Sequence, residues 1–229
     1  MEFGVFYQVY KNKNAADFVL RNFREHFPEN PIVLISDGGD DFTDLSKKYN
    51  CSFHMRENIY GDETNNYPTY PYNAYRLKEW WNRQKLTCEE TKMEYIMILE
   101  DDVYVKESFE IHPPFHLRGV RIGNYFSPKM KQEIKSKGNI DAINYGMCGG
   151  SIYNAKTFLK IYDDVMNDIE ENHERLLEDD QYFVLGAVDA NITYHFNKRG
   201  YSYEHAPWLS EVREHNDEYP VIHQWKEHY

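Results

Sequence analysis

The 229-residue sequence holds only three cysteines, Cys51, Cys88 and Cys148, widely spaced and without a C-x-x-C pair. That argues against a disulfide framework and against a cysteine-based zinc site. An odd, low count fits free thiols in a reducing compartment. No stretch approaches the roughly 18 consecutive apolar residues that a membrane-spanning helix needs. The opening MEFGVFYQVYKNKN has no basic region ahead of a long apolar run, so it does not read as a signal peptide. These absences lead to the expectation of a soluble, cytoplasmic protein with no membrane span. Positive charge is also in short supply: 26 Lys and Arg stand against 38 Asp and Glu, a net charge of −12. Nonspecific nucleic-acid binding needs clustered positive charge, so nucleic acid is not an expected partner. An anionic small molecule held through a local metal remains compatible with this balance. Repeats and low-complexity linkers are missing too, and the length suits one domain able to bury its own core.

Tyrosine is abundant, at 20 copies. Its apolar ring and hydrogen-bonding tip suit a cleft for polar ligands, or the excess is only a compositional bias. Residues 3–10 read as a strand. Residues 14–27 read as a helix, with Ala16, Val19, Leu20, Phe23 and Phe27 at helical spacing. IVLIS after Pro31 is a buried strand ending in the turn signal DGG. A short helix over 41–49 and a strand over 51–55 follow. This alternation predicts an α/β fold with a mostly parallel sheet covered by helices. Residues 57–72 read as a mobile loop, and 73–86 as a helix capped by Asn73. Residues 94–105 read as one strand. Further helices are expected over 155–170, burying Phe158, Tyr162, Val165, Met166 and Ile169, and over 176–188. ITYHF and YSYEH look strand-like.

"YIMILEDDVYV", 95–105, drives five apolar residues into three consecutive acids. In an open parallel sheet, ligands bind beyond the carboxyl ends of strands. Side chains alternate along a strand, so Glu100 and Asp102 would share a face. Two carboxylates there make a hard oxygen site for Mg²⁺ or Mn²⁺, with positions left for water and a phosphate; otherwise they form a solvated strand end. Asp37, in IVLISDGG, presents the same pattern one strand earlier. It is either a contact for a base or ribose, or ordinary Asp-Gly turn chemistry.

The order strand–helix–strand ending in SDGG, then a helix, then ILEDDV, resembles the nucleotide-sugar half of a GT-A-fold glycosyltransferase. That resemblance implies a single domain over 1–229, with a nucleotide-sugar half (1–105) and an acceptor half (106–229). It implies a DxD-type motif, standing here as Glu100-Asp101-Asp102, that holds Mn²⁺ or Mg²⁺ against the diphosphate of a nucleotide-sugar donor, expected to be UDP-linked. Asp102 would be the direct metal ligand, and Glu100 and Asp101 would approach the ribose or bound water. Asp37 would contact the nucleoside, and Arg76 matches a basic position that touches the nucleotide; its other reading is a surface salt bridge.

Downstream, CGGSIYNAKTFLKI followed by LEDDQYF is similar to the inverting, β-1,4-galactosyltransferase type. By that likeness Asp179 is the catalytic base, and Glu178 and Asp180 hold acceptor hydroxyls or the helix start. Gly149 and Gly150 would let the sugars approach the backbone. The plainer reading of the second acid cluster is that acids oppose the dipole at a helix N-terminus. A C-terminal histidine completes the metal site in many such enzymes; His223 is the candidate and His205 its rival. A histidine ligand favours Mn²⁺ over Mg²⁺. Trp208 and Trp225 either stack on acceptor sugars or pack.

The resemblance therefore implies an inverting, metal-dependent transfer of sugar to a hydroxyl of a glycan or glycoprotein. A retaining enzyme, a sugar nucleotidyltransferase and a non-catalytic, metal-dependent carbohydrate-binding protein are the alternatives. Lack of an anchor resembles soluble bacterial members, or those of large DNA viruses, which would act in the host cytoplasm.

Overall fold

The structure is a computed structural model that describes residues 2–59, 74–120, 127–136, 147–178, 188–210 and 218–224, with backbone alone for 173–178. Its first third follows the predicted alternation. β1 (Gly4–Val9), α1 (Lys13–His26), β2 (Ile32–Asp37), α2 (Thr43–Lys48) and β3 (Ser52–Arg56) succeed one another, then α3 (Ala74–Thr91) leads into β4 (Tyr95–Leu99). Asn12 caps α1, its side chain accepting from the Ala15 amide at 3.0 Å. All five residues expected on the inner face of α1 are buried. At the other end of α1, Arg24 donates to backbone carbonyls of Phe27, Pro28, Asn30, Tyr49 and Asn50. One guanidinium thereby ties the end of α1 to the end of α2 and to the approach to β2.

A seven-stranded sheet has the order β3-β2-β1-β4-β7-β6-β8, where β6 is Leu117–Gly119, β7 Ile152–Asn154 and β8 Tyr203–His205. β7 runs antiparallel to its neighbours β4 and β6; the other pairings are parallel. One face packs on α1, with Tyr7, Leu34, Met97 and Leu99 in that cluster. The other face carries Phe6, Val33, Ile35, Ile96 and Ile98 against α3 and α5 (Ala155–Glu178). There Trp81 stacks on Phe158 at 4.7 Å between ring centres. Such buried aromatic pairs contribute about 0.5–1.5 kcal/mol beyond their buried area. The expected α/β architecture with helices on both faces is present.

Four expectations need correction. Residues 94–105 are not one strand. The chain leaves the large sheet at Leu99, turns, and enters a second, three-stranded sheet as β5 (Tyr104–Val105), beside β10 (Val221–Ile222) and β9 (Leu209–Ser210). ITYHF is helix: it lies within α6 (Val188–Lys198), whose residues Ala190–Asn197 are all buried. Its β-branched and aromatic residues suit a strand locally, but burial on all sides decides otherwise. α5 runs unbroken to Glu178, so residues 176–178 belong to it rather than to the start of a new helix, and the expected 176–188 helix from 179 to 187 lies outside the described residues. Finally, the region between 106 and 140, for which no helix or strand is expected, contains β6 and α4 (Pro128–Lys135), the latter capped by Ser127 with Pro128 in its first turn. Ser-Pro ahead of Met130 and Ile134 was a helix-start signal present in the sequence.

Candidate active site

β1 sits between β2 and β4, and the connection from β3 crosses over to β4. The strand order therefore reverses beside β1, and in open α/β sheets the crevice at such a reversal is where ligands bind. Glu100, Asp101 and Asp102 stand at the carboxyl end of β4, at this point. They occupy a turn, closed by the Val103 amide donating to the Glu100 carbonyl at 3.1 Å. Strand alternation thus does not bring Glu100 and Asp102 together; the turn does.

The small sheet brings the third member. β10 pairs antiparallel with β5, Ile222 opposite Tyr104, so the next residue, His223, faces the end of the acid turn. Its own amide donates to the Ser210 carbonyl at 2.8 Å. The buried imidazole places Nε2 2.9 Å from Glu100 Oε2 and 3.4 Å from Asp102 Oδ1. One donor atom from each of the three residues lies within 4.8 Å of the others. In an octahedral ion with ligands at about 2.1 Å, adjacent donors are roughly 3 Å apart. Two carboxylates and an imidazole at such separations fit a small divalent cation, and the nitrogen donor fits Mn²⁺ better than Mg²⁺. His205 lies elsewhere, in β8 on the edge of the large sheet.

Asp101 points away from this cluster. Its Oδ1 accepts from the Tyr7 hydroxyl at 2.8 Å. Burial, with the neighbouring acids Asp102 and Glu100 adding to it, pushes the Asp101 carboxyl up to about 6 despite that hydrogen bond. Gly149 and Gly150 lie directly behind the site. The turn Cys148–Ser151 joins β7 to the end of β4, with the Gly150 amide on the Ile98 carbonyl at 2.7 Å. A Cβ on Gly149 would collide with Val103 and come within 3.1 Å of Glu100 and 3.2 Å of His223. Gly150 has φ +90° and packs on Leu209. The close approach these glycines allow is that of the protein's own turn to the acid turn. Trp208 is buried, stacks on Phe109 at 5.1 Å and donates to the Gly150 carbonyl at 3.0 Å. That is a packing position, with little ring face left for a sugar.

Asp37, at the end of β2, is engaged by Arg83 rather than by Arg76. The Arg83 guanidinium reaches Asp37 Oδ1 at 2.6 Å, Gln8 Oε1 at 2.8 Å and the Glu57 carbonyl at 2.5 Å. The Ile59 amide also donates to Asp37, at 2.9 Å. Carboxyl ends of β1 and β2 and the segment after β3 are thereby joined through one buried cation. Arg83 is two helical turns beyond Arg76, on the same face of α3, and that seven-residue spacing was the available signal. Arg76 is half-buried near the start of α3. Asp179, Asp180 and Trp225 lie outside the described residues, as do Asn73 and most of the 57–72 loop; only the backbone of Glu178 is described.

The described residues thus combine an α/β sheet with an acid–imidazole cluster at its topological reversal. No family model matches the chain, and no curated protein sequence matches it. Among solved structures it is similar to the WbbM bifunctional glycosyltransferase in its apo form, with a TM-score of 0.53 and 10% identity. That likeness covers 99% of this chain and 46% of the other, so this chain spans about half the length of its neighbour. The chain has the fold of a solved glycosyltransferase. Among the described residues no helix is long and apolar enough to cross a membrane.

Proposed function

We propose that the protein is a metal-dependent, inverting glycosyltransferase of GT-A type, which moves a sugar from a nucleotide-sugar donor, expected to be UDP-linked, to a hydroxyl of a glycan or glycoprotein. The observation that carries this reading is the convergence of Glu100, Asp102 and His223 at the carboxyl end of β4, in a fold shared with a solved glycosyltransferase. Glu100, Asp102 and His223 would hold Mn²⁺ or Mg²⁺; when bound, the ion would neutralise charge gathering on the departing diphosphate. Asp37, held by Arg83 and the Ile59 amide, is assigned to the nucleoside on the strength of the sequence resemblance. A sugar hydroxyl is a poor nucleophile. A carboxylate must take its proton as the new bond to the anomeric carbon forms and the nucleoside diphosphate leaves with the old bond's electrons. Asp179 is assigned that proton on the strength of the sequence resemblance, with Glu178 and Asp180 beside the acceptor.

The test is a thermal-shift panel of UDP, GDP, CMP and ADP, each with and without MnCl₂. A ligand that binds only the native state stabilises by RT ln(1 + [L]/Kd), about 2.7 kcal/mol at a hundredfold excess over Kd. UDP should raise Tm only with Mn²⁺, and Asp102→Asn should remove the effect. Asp179→Asn should retain that shift while losing transfer to acceptor. Absence of any shift under any metal would make the cluster a hydrogen-bonded ion pair and overturn the reading.

A further inference from the structure

The Tyr7 hydroxyl is deep in the molecule, and the acid turn gives it a partner. Tyr7 lies in the middle of β1, is fully buried, and is in register with Leu34 on one side and Leu99 on the other. Residues in register in a parallel pair point to the same face, so Tyr7 and Leu99 share the α1 side of the sheet. The chain turns immediately after Leu99, and that turn brings Asp101 Oδ1 to 2.8 Å from the Tyr7 phenol oxygen. Phe at this position would fill the same space and lack only the donor.

The donor matters because of what the turn must do with three consecutive acids. Glu100 and Asp102 converge on His223, 2.9 and 3.4 Å from its Nε2. Asp101, between them, would join them or swing into water if nothing held it. The 2.8 Å hydrogen bond from Tyr7 holds it on the opposite side. On the far flank the turn rests against Gly149, where no side chain fits. The turn is thus pinned from behind by the Cys148–Ser151 turn and from beneath by the Tyr7 phenol.

We infer that Tyr7 is a positioning residue for the metal site: by holding Asp101 it sets the turn that aims Glu100 and Asp102 at a divalent cation. This rests on the metal-site reading above. It assigns to Asp101 a structural link in place of a ligand contact.

The experiment is titration of the purified protein with MnCl₂ alone, free Mn²⁺ being read by electron paramagnetic resonance, with Tm recorded for every variant. Tyr7→Phe should weaken Mn²⁺ binding about tenfold, the low end of what groups that orient metal ligands contribute, because the turn carrying Glu100 and Asp102 loses its anchor. Asp101→Ala removes the same hydrogen bond from the other side and should also weaken binding. Adding Tyr7→Phe to Asp101→Ala should cost nothing further, because the two act through one contact. Wild-type affinity in Tyr7→Phe, or losses that multiply in the double variant, would overturn the inference. Should Tyr7→Phe fold poorly, unchanged affinity in Asp101→Ala overturns it equally. If the wild type binds Mn²⁺, and Asp102→Asn or His223→Ala abolishes binding while Tyr7→Phe does not, only this inference fails. If the wild type binds no Mn²⁺, the metal-site reading fails with it.

Discussion

Two strands of the same sheet end in acids, and the protein treats them in opposite ways. Asp37 ends β2 and meets Arg83, a guanidinium fixed in its charge, inside a network that also takes in Gln8, the Glu57 carbonyl and the Ile59 amide. Glu100 and Asp102 follow β4 and meet His223, whose imidazole serves equally as a neutral ligand. The first acid is neutralised from within by a permanent cation. The second pair is gathered around a group that leaves room for a cation from outside. Position at a strand's carboxyl end therefore does not fix what a carboxylate does; the partner that the tertiary structure supplies decides it.

The largest expected effect breaks the first arrangement. Arg83→Leu would leave Asp37 buried without its cation, and removing one partner of a buried pair costs about 3–5 kcal/mol. Urea denaturation should show that loss with or without Mn²⁺. The second arrangement should behave with the opposite sign: in metal-free protein, Asp102→Asn removes like-charge repulsion, so urea denaturation should show stability unchanged or slightly raised. A loss comparable to that of Arg83→Leu would mean that the acid–imidazole cluster is a structural ion pair.

A third prediction concerns a histidine that lies outside both. His195 in α6 is fully buried, its Nδ1 3.1 Å from Arg199 and 3.8 Å from Asp168, with Lys198 nearby and Trp81 against its ring. A guanidinium can only donate, so Nδ1 accepts and the ring is neutral. Burial first, then the Arg199 charge, pushes its pKa down to about 3. An unfolded histidine titrates near 6.5. Between those values the unfolded chain binds a proton that the folded one refuses, so stability is full above about pH 6.5 and falls as pH drops towards 3. Across pH 7 to 4, wild type and His195→Gln should diverge in urea stability on acidification by an amount on the order of 3 kcal/mol, with wild type the more acid-sensitive. Parallel profiles would contradict the buried neutral ring. Burial works to raise the Asp168 carboxyl, but its hydrogen bond to Arg199 and the charges of Lys198 and Arg199 hold it below the usual carboxylate range.

A further prediction probes the turn behind the acid–imidazole cluster. Gly150→Ala places a Cβ 2.5 Å from Leu209 at φ +90° and should cost about 1–3 kcal/mol in thermal unfolding. Equal Tm for the two proteins would show that this turn yields easily and does not brace the acid turn.

The first half of the chain was largely legible. Five apolar residues at helical spacing in α1, the continuous run of β2 and the apolar core of β4 each carry their own periodicity, and each is buried where that periodicity places it. The acid triplet and His223 were legible as residue types that fit a metal. Reach was not: Asp37 meets Arg83, a residue that nothing in the sequence around Asp37 singled out. The break after Leu99 was illegible too, since VYV after the acids continues the apolar pattern and nothing local announces a second sheet. Nor does local preference reveal that ITYHF, which looks like a strand, is helix; it is enclosed on every side by the core.

By itself the sequence determined the alternation of elements, the buried faces and the supply of carboxylates at strand ends, because these follow from spacing along one chain. Which carboxylates became neighbours of which basic side chain was decided by tertiary structure alone. His223 lies 121 residues from Asp102 in the chain, and only the pairing of β10 with β5 brings it to 3.4 Å. Contacts across such separations depend on register between strands, and register is a property of the assembled sheet.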